Sequence, residues 1–409
     1  MSHHPSVAGG QSGHQESSKF DLSAQVISTT SARDITDLLC FSHLRWNFVY
    51  QRPQHLMSRA SQQYRVWYWE EPVCDDHAWL EVRPVNPHLH VLVPHLPPGL
   101  TAEAGHELQR QWLNNLRVQH RIIDFISWYY TPMALAFTDQ LRPRLTLYDC
   151  MDELSAFHGA PPALREREEE LMHRAGLVFT GGYSLFEAKQ QRHRSVHAFP
   201  SSIDNPHFAQ ARQGLADPAD HAGIAYPRAG YSGVIDERLD LTLLRELASR
   251  QPDWQFILLG PVVKIDPATL PQGPNLHYLG MKPYEALPAY FSNWQVALLP
   301  FARNEATRFI SPTKTPEYLA AGLPVVSTPI RDVVTTYGDY APVWIADTVW
   351  GFEQAMAEAL QEQAESDWAP IDAHLQQQSW DLTWASMNGL IKNQLKPSEN
   401  AVAHAFLPE

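Results

Sequence analysis

The sequence predicts an α/β protein made of two doubly wound domains that face each other across a cleft. Short apolar runs alternate with amphipathic helical stretches from Asp37 to Leu395. A Pro- and Asp-rich stretch at 204–225 interrupts that alternation near the middle. The 409-residue chain is also longer than one core of ~150 residues accounts for.

The first 34 residues are rich in Ser, His, Gly and Gln. With no apolar h-region they are not a secretory signal, and they are expected to be a disordered tail. Leu38–Ser42 is a brief apolar run followed by polar residues, hence a buried strand. Pro53, with Leu56 and Ala60 spaced by four, starts a helix. Tyr64–Trp69 and His90–Val93 read as strands, and Leu108, Trp112 and Leu116 step along one helical face. Strands at 122–129 and 145–148, a charged helix at 163–175, a strand at 177–180, a helix near 183–191 and a strand at 196–199 complete a first domain at 35–203. Residues 204–225 contain little that could form a core and suit a hinge. The second domain, 226–379, continues with strands at 231–235, 254–259, 276–279, 295–300, 324–327 and 343–346. Its helices are expected at 239–249, 284–291, 312–321 and 352–363. A last amphipathic helix, with Asp381 in N-cap position, falls in 380–396, and a tail follows at 397–409.

Charge and cysteine content narrow the function. With 31 Lys+Arg against 45 Asp+Glu the formal charge is −14, which argues against general nucleic-acid binding. Three widely spaced cysteines, Cys40, Cys74 and Cys150, form neither a disulfide framework nor a CxxC zinc site, and suggest a reducing cytoplasm. No apolar run of ~18 residues is present, so no membrane span is expected. His88, His90 and His95 have no further ligand at a sensible spacing and read as solvated rather than metal-binding. The sequence contains no HExxH, GxSxG or GxxxxGK[ST] motif.

The segment NEATRFISPTKTPEYLAAGLPVVST, 304–328, is the most informative. Ser311 followed by Pro312 fits an N-cap and the first helical position. Lys314 then lies on the first turn, where a cation repels the helix dipole unless an anion is shared between them. Glu317, three residues on, shares its face. Gly322 closes the helix. Such a set can hold a diphosphate beside Ser311 and Lys314, with a ribose against Glu317.

This signature resembles the donor-binding segment of two-domain GT-B glycosyltransferases, in particular the retaining group (family 4-like) of bacterial polysaccharide and cell-wall enzymes. GYSGVIDERLDLTLL, WQFILLGPV and NLHYLGMKPYEALPAYFSNWQVALLPF agree with that group in order and spacing. In the first half, FSHLRWNFVYQRPQHL, AGLVFTGGYSLFEAK and HAFPSSIDNPHF agree as well. The resemblance implies that Glu317 binds the ribose and that Ser311 and Lys314 meet the diphosphate. It makes Gly233 the close-approach glycine, puts Arg238 at the leaving diphosphate, and sets Met281 in the segment whose backbone reads the base. It also implies that the last helix crosses back to the first domain.

Two departures stand out. The family's second basic residue falls on Val234, for which Lys264 is the candidate replacement. A family Glu that touches the donor sugar falls eight positions before Glu317, at Phe309, and the nearest carboxylate is Glu305, within Asn304-Glu305-Ala306-Thr307. In the first domain a family His-Asp pair corresponds to Asp149-Cys150-Met151-Asp152-Glu153, without a His. Asp149, Asp152 and Glu305 are therefore the candidate catalytic carboxylates. Arg45, Arg52, Asn304 and Thr307 are the candidate substrate contacts.

The expected function is transfer of a sugar, with retention, from a nucleotide diphosphate sugar to a saccharide, lipid-linked or small-molecule acceptor in bacterial glycan synthesis. A UDP-sugar is the expected co-substrate; no resident cofactor, metal or nucleic acid is expected. The expected location is the cytoplasm, with peripheral contact at the inner face of the cell membrane where the acceptor is lipid-linked. The alternatives are a nucleotide-sugar epimerase of the same fold and a non-catalytic nucleotide-sugar-binding subunit.

Overall fold

The computed structural model describes residues 36–362 and 367–396; both expected tails lie outside them. Two parallel sheets organise the chain. The first contains β1 (Asp37–Phe41), β2 (Arg65–Trp69), β3 (Val73–Cys74), β4 (Trp79–Asn86), β5 (Leu89–Leu96), β6 (Phe125–Tyr129), β7 (Leu145–Cys150), β8 (Leu177–Thr180) and β9 (Val196–Ala198). Its order runs β5-β2-β1-β6-β7-β8-β9, with β3 pairing parallel to the end of β5 and β4 antiparallel to it. The second contains β10 (Arg228–Ser232), β11 (Gln255–Leu259), β12 (Leu276–Gly280), β13 (Val296–Leu299), β14 (Val325–Ser327) and β15 (Val343–Ile345), in the order β12-β11-β10-β13-β14-β15. In both sheets the order reverses beside the first strand, and ligands of doubly wound sheets bind at that crevice.

The strands read as continuous apolar runs because both sheet faces are covered. Along β1, Leu38 and Cys40 enter one core while Leu39 and Phe41 enter another, as the period of two requires. β4 escapes sequence reading because Pro84 and charged residues interrupt it, which only an edge strand tolerates. On the helix at Ala102–Gln119 the buried positions are Gly105, Gln109, Leu113 and Leu116, not the Leu108–Trp112–Leu116 row. Gln109 is buried because its Oε1 accepts the Trp69 indole N–H at 3.2 Å.

Residues 204–225 are not an open hinge. Phe208 and Ala211 are buried in the second domain's core, and the buried Arg228 ties Asp217 at 2.8 Å together with the carbonyls of His221 and Ile224. Few apolar residues suffice here because they land on a large preformed surface. The chain instead passes between the domains in two adjacent segments: Ile203 N–H donates to Gln378 O at 2.8 Å, and Ile203 bridges Ser379.

The last helix, Trp380–Leu395, belongs to the first domain's core. Trp380, Trp384, Met387 and Ile391 pack with Leu56, Tyr64 and Trp128, and Tyr64 Oη donates to Asn388 Oδ1 at 2.6 Å. Its N-cap is Ser379, which accepts from Leu382 N–H at 3.2 Å; Asp381 instead pairs with Arg59 at 2.7 Å. A second tie crosses the domains at Asp332. This buried carboxylate accepts from Tyr183 N–H (2.9 Å) and Ser184 N–H (3.0 Å), at the start of the helix Tyr183–Lys189. Gly182 makes that approach possible, since a Cβ there would lie 2.3 Å from Asp332 Oδ2. Trp384→Ala should empty a space against Trp128 and Tyr64 and cost about 3–5 kcal/mol; urea unfolding of the full chain measures it.

Candidate active site

The crevices of the two sheets meet in an interdomain cleft of ≈ 130 Å³. The first domain supplies Val49–Gln51, His55, Met151, Asp152 and Gly181. The second supplies Gly233, Val234, Arg238, Tyr284, Ile310–Lys314 and Glu317, and Trp380 closes one side. Thus Gly233, Arg238, Ser311, Lys314, Glu317 and Asp152 converge from positions spread over the sequence.

Lys314 and Glu317 open the short helix Lys314–Ala320. It starts later than the Ser-Pro pair suggests. Pro316 has no N–H and fits only the first turn, whose N–H groups have no partner within the helix. Ser311 is therefore not a cap; it sits in the irregular lead-in, against Gly182 of the other domain, where a Cβ would lie 2.7 Å from its own. Gly322, at φ +78°, ends the helix. Lys314 Nζ donates to Glu317 Oε2 at 2.7 Å. Burial raises the Glu317 carboxyl above its ordinary value, and Lys314 pulls it back. Among the described residues Oε1 accepts no hydrogen bond from the protein, so the carboxylate keeps a free acceptor beside a lysine.

Around this pair lies an aromatic shell that sequence reading missed. His207 stacks on Tyr284 with ring centroids 4.3 Å apart, Tyr50 approaches Tyr284 at 5.0 Å, and His55 stacks on Trp380 at 4.6 Å. Burial, with Arg59 and Lys314 nearby, pushes the His55 imidazole down to about 3, so it is neutral. Tyr284 Oη is buried without a hydrogen-bond partner among the described residues. The signal was the aromatic in KPYEALP, directly after the turn that follows β12.

Across the cleft the loop after β7 reaches over the second domain. His158 N–H donates to Glu237 Oε1 at 2.9 Å. The Phe157 ring lies between the Arg238 guanidinium, 5.6 Å away, and Lys264 Nζ, 5.3 Å away. Arg238 is held by Asp236 at 2.8 Å, which with the neighbouring charges keeps it firmly cationic against the cost of burial. Gly260, at φ +146°, lets the two loops close: a Cβ there would fall 1.8 Å from Gly233 O. Asp152 is half-buried on the facing wall. Loss of water raises its carboxyl to about 6, Arg238, Arg52 and Lys264 oppose the shift, and Asp236 adds to it.

Other expected residues lie elsewhere. Asp149 and Arg52 are buried and bonded to each other, with Arg52 Nη2 2.8 Å from Asp149 Oδ1. Arg52 Nη1 donates to Phe199 O at 2.7 Å, so both groups are consumed inside the domain. Arg45 is likewise spent on Glu70 (3.2 Å) and on the carbonyls of Glu71 and Pro72. The Glu305 side chain is 75% exposed and pairs with Arg308 at 3.6 Å, facing a separate hollow beside Glu153 and Lys189. Asn304 and Thr307 cap their own turn: Asn304 Oδ1 accepts from Thr307 N–H at 3.1 Å, and the Thr307 hydroxyl donates to Ala302 O. Met281 is about half-exposed and does not line the cleft. These misplacements share one cause: spacing along a loop does not tell which polar groups that loop needs for its own backbone.

Among the described residues no group of three or more His, Cys, Asp or Glu is placed to hold a metal ion, and no helix is long and apolar enough to cross a membrane.

Residues 238–362 match the family described as Glycosyl transferases group 1. The chain is 30% identical over 217 residues to TuaH of Bacillus subtilis (strain 168), named as a teichuronic acid biosynthesis glycosyltransferase; the match covers 49% of this chain and 54% of TuaH. The chain thus spans about half the length of this curated relative. Among solved structures it resembles the sucrose-phosphate synthase of Thermosynechococcus elongatus, with TM-score 0.67, 15% identity, and coverage of 88% of this chain and 98% of that one. It also resembles Anabaena HepE in complex with UDP and glucose, with TM-score 0.64, 13% identity, and coverage of 87% and 99%. The fold is the GT-B fold, and the segment that matches the group 1 glycosyl transferase family lies in its second domain.

Asp152 gives a test of the cleft's electrostatics. Its folded value of about 6 exceeds an unfolded value near 3.8, so the unfolded state ionises first and stability falls as pH rises between the two. Asp152→Asn should therefore raise Tm above pH 7, with the gain fading below about pH 4; thermal melts across pH 4–8 check the sign.

Proposed function

We propose that the protein is a nucleotide-sugar-dependent glycosyltransferase that uses a UDP-sugar and acts with retention, in the manner of the family 4-like enzymes. The observation that carries the reading is the Lys314–Glu317 pair, with Arg238 on the same wall and Asp152 facing it across one cleft. The second domain, about 226–379, takes the donor: Glu317 Oε1 accepts the ribose hydroxyls, the Tyr284 hydroxyl gains a partner, and Lys314 with Ser311 meets the diphosphate. The first domain, about 35–203, takes the acceptor, a saccharide or a lipid-linked sugar; in the latter case the enzyme works at the inner face of the cell membrane. The HepE complex with UDP and glucose and the name of TuaH support the donor class and a role in bacterial glycan synthesis.

The bond from the anomeric carbon to the diphosphate breaks, and the acceptor oxygen bonds to that carbon from the same face. The acceptor proton passes to a diphosphate oxygen. Lys314 and Arg238 stabilise the negative charge that builds on the leaving group, in a site shielded from water. Arg238 is paired with Asp236 before the donor arrives, so it meets the diphosphate already fixed in position. At ≈ 130 Å³ the cleft is smaller than the ~300 Å³ usual for ligand sites. The domains therefore part about 199–204 and 378–380 to admit the donor and close to exclude water.

Glu317→Ala and Lys314→Ala should each weaken UDP binding at least tenfold, the loss expected for about 1.5–3 kcal/mol of charged hydrogen bonding. Titration with UDP, and nucleotide release from a panel of UDP-, GDP-, ADP- and dTDP-sugars, measure this. Wild-type affinity in both variants would sink the assignment of the donor site, and firm binding with no transfer to any acceptor would favour a binding subunit.

A further inference from the structure

A second cavity, ≈ 410 Å³, opens in the first domain at the carboxyl ends of β1, β2 and β5, within the range of small-molecule sites. Phe41, Trp69, Leu96, Leu100, Met133 and Phe137 form its apolar wall. Most of its polar side chains already hold partners within the domain. Gln109 accepts from Trp69 and donates to Gly105 O. Glu70 is held by Trp46 N–H at 2.7 Å and by Arg45, the Ser42 hydroxyl accepts from Leu44 N–H and Tyr68 Oη, and Thr131 accepts from Met133 N–H. Among the described residues no Lys or Arg lines the cavity, and two carboxylates, Glu70 and Glu71, do. Burial pushes the His106 imidazole down from its ordinary value. A phosphate would meet two carboxylates and no cationic side chain of the lining, whereas an apolar group matches the wall.

The loop after β7 runs from the cleft to this cavity. Asp152 lines the cleft, Phe157 packs against Lys264 at 5.3 Å, and Pro161 lines the cavity. We infer that this cavity binds the apolar, uncharged aglycone of the sugar acceptor, an aryl or alkyl group, with the sugar hydroxyl directed past Lys264 toward the donor. The inference rests on the transferase reading and narrows its acceptor: an acceptor phosphorylated at this end is excluded.

The test uses the full chain and the neutral fluorophore N-phenyl-1-naphthylamine, with UDP binding followed in parallel by thermal shift. Octyl glucoside or 4-nitrophenyl glucoside should displace the probe, while glucose and glucose 6-phosphate at tenfold higher concentration should not. A stronger octyl effect assigns a lipid-type chain and a stronger nitrophenyl effect an aromatic aglycone; either supports the inference. Ala102→Trp fills the mouth from an exposed helix start, and Gly105→Leu fills the interior, where a Cβ meets only the flexible ends of Leu96 and Leu100. Each should weaken the probe at least tenfold and leave the UDP shift unchanged. Probe binding unaffected by both variants, or displacement by glucose 6-phosphate as readily as by octyl glucoside, overturns the pocket assignment while UDP binding stands. A wild-type chain that UDP does not stabilise overturns the donor reading, and the acceptor role falls with it.

Discussion

The buried contact between Arg52 and Asp149 holds the first domain's side of the cleft in place. Three segments line that side, 49–55, 151–152 and 201–204, and all three leave this ion pair. Arg52 begins the helix Arg52–Ala60, Asp149 lies near the end of β7, and Phe199, whose carbonyl takes the remaining guanidinium bond, leads into the first crossing to the second domain. Breaking one partner of such a pair strands the other in a dry interior, at a cost of about 3–5 kcal/mol. The loops are positioned by an interaction that a ligand never touches.

In the cleft the charges are arranged differently. Lys314 has Glu317 and Arg238 has Asp236, but each carboxylate sits at the cavity surface or just behind it. The cleft is therefore close to neutral on its second-domain wall, which limits the desolvation penalty of holding lysine and arginine in a narrow space. Under the proposed function an arriving diphosphate would meet cations whose orientations are already set by their carboxylates. The Phe157 ring, lying against both Arg238 and Lys264, joins that cationic wall to the first domain. Asp152, the half-buried acid of the facing wall, comes from the same loop.

Much of this organisation was legible in the sequence because it depends on periodic burial. The apolar runs of β1, β7, β10 and β13 announce strands covered on both faces, and their spacing with helices announces two sheets. Lys314, Glu317, Arg238 and Gly233 were legible because a helix start, a glycine and a following strand constrain one another over short distances. What escaped was set by tertiary context. Pro84 disguised β4, Phe208 and Ala211 looked too sparse to anchor 204–225, and Arg52 and Asp149 looked like site residues because a buried ion pair and a ligand contact use the same side chains. Tyr284 and His207, stacked in the fold, lie 77 positions apart in the chain, and no periodicity links them.

The returning helix has a consequence for how the chain is made. Trp384 completes a core whose other wall includes Trp128, with ring centroids 6.3 Å apart, yet the whole second domain is synthesised between them. A nascent first domain therefore leaves the ribosome with an uncovered apolar flank, and it waits in that state until Trp380–Leu395 is translated. Contacts of such long sequence separation form slowly, and the exposed flank meanwhile invites chaperones or misassembly. The two domains mature together, and the half translated first is the last to be sealed.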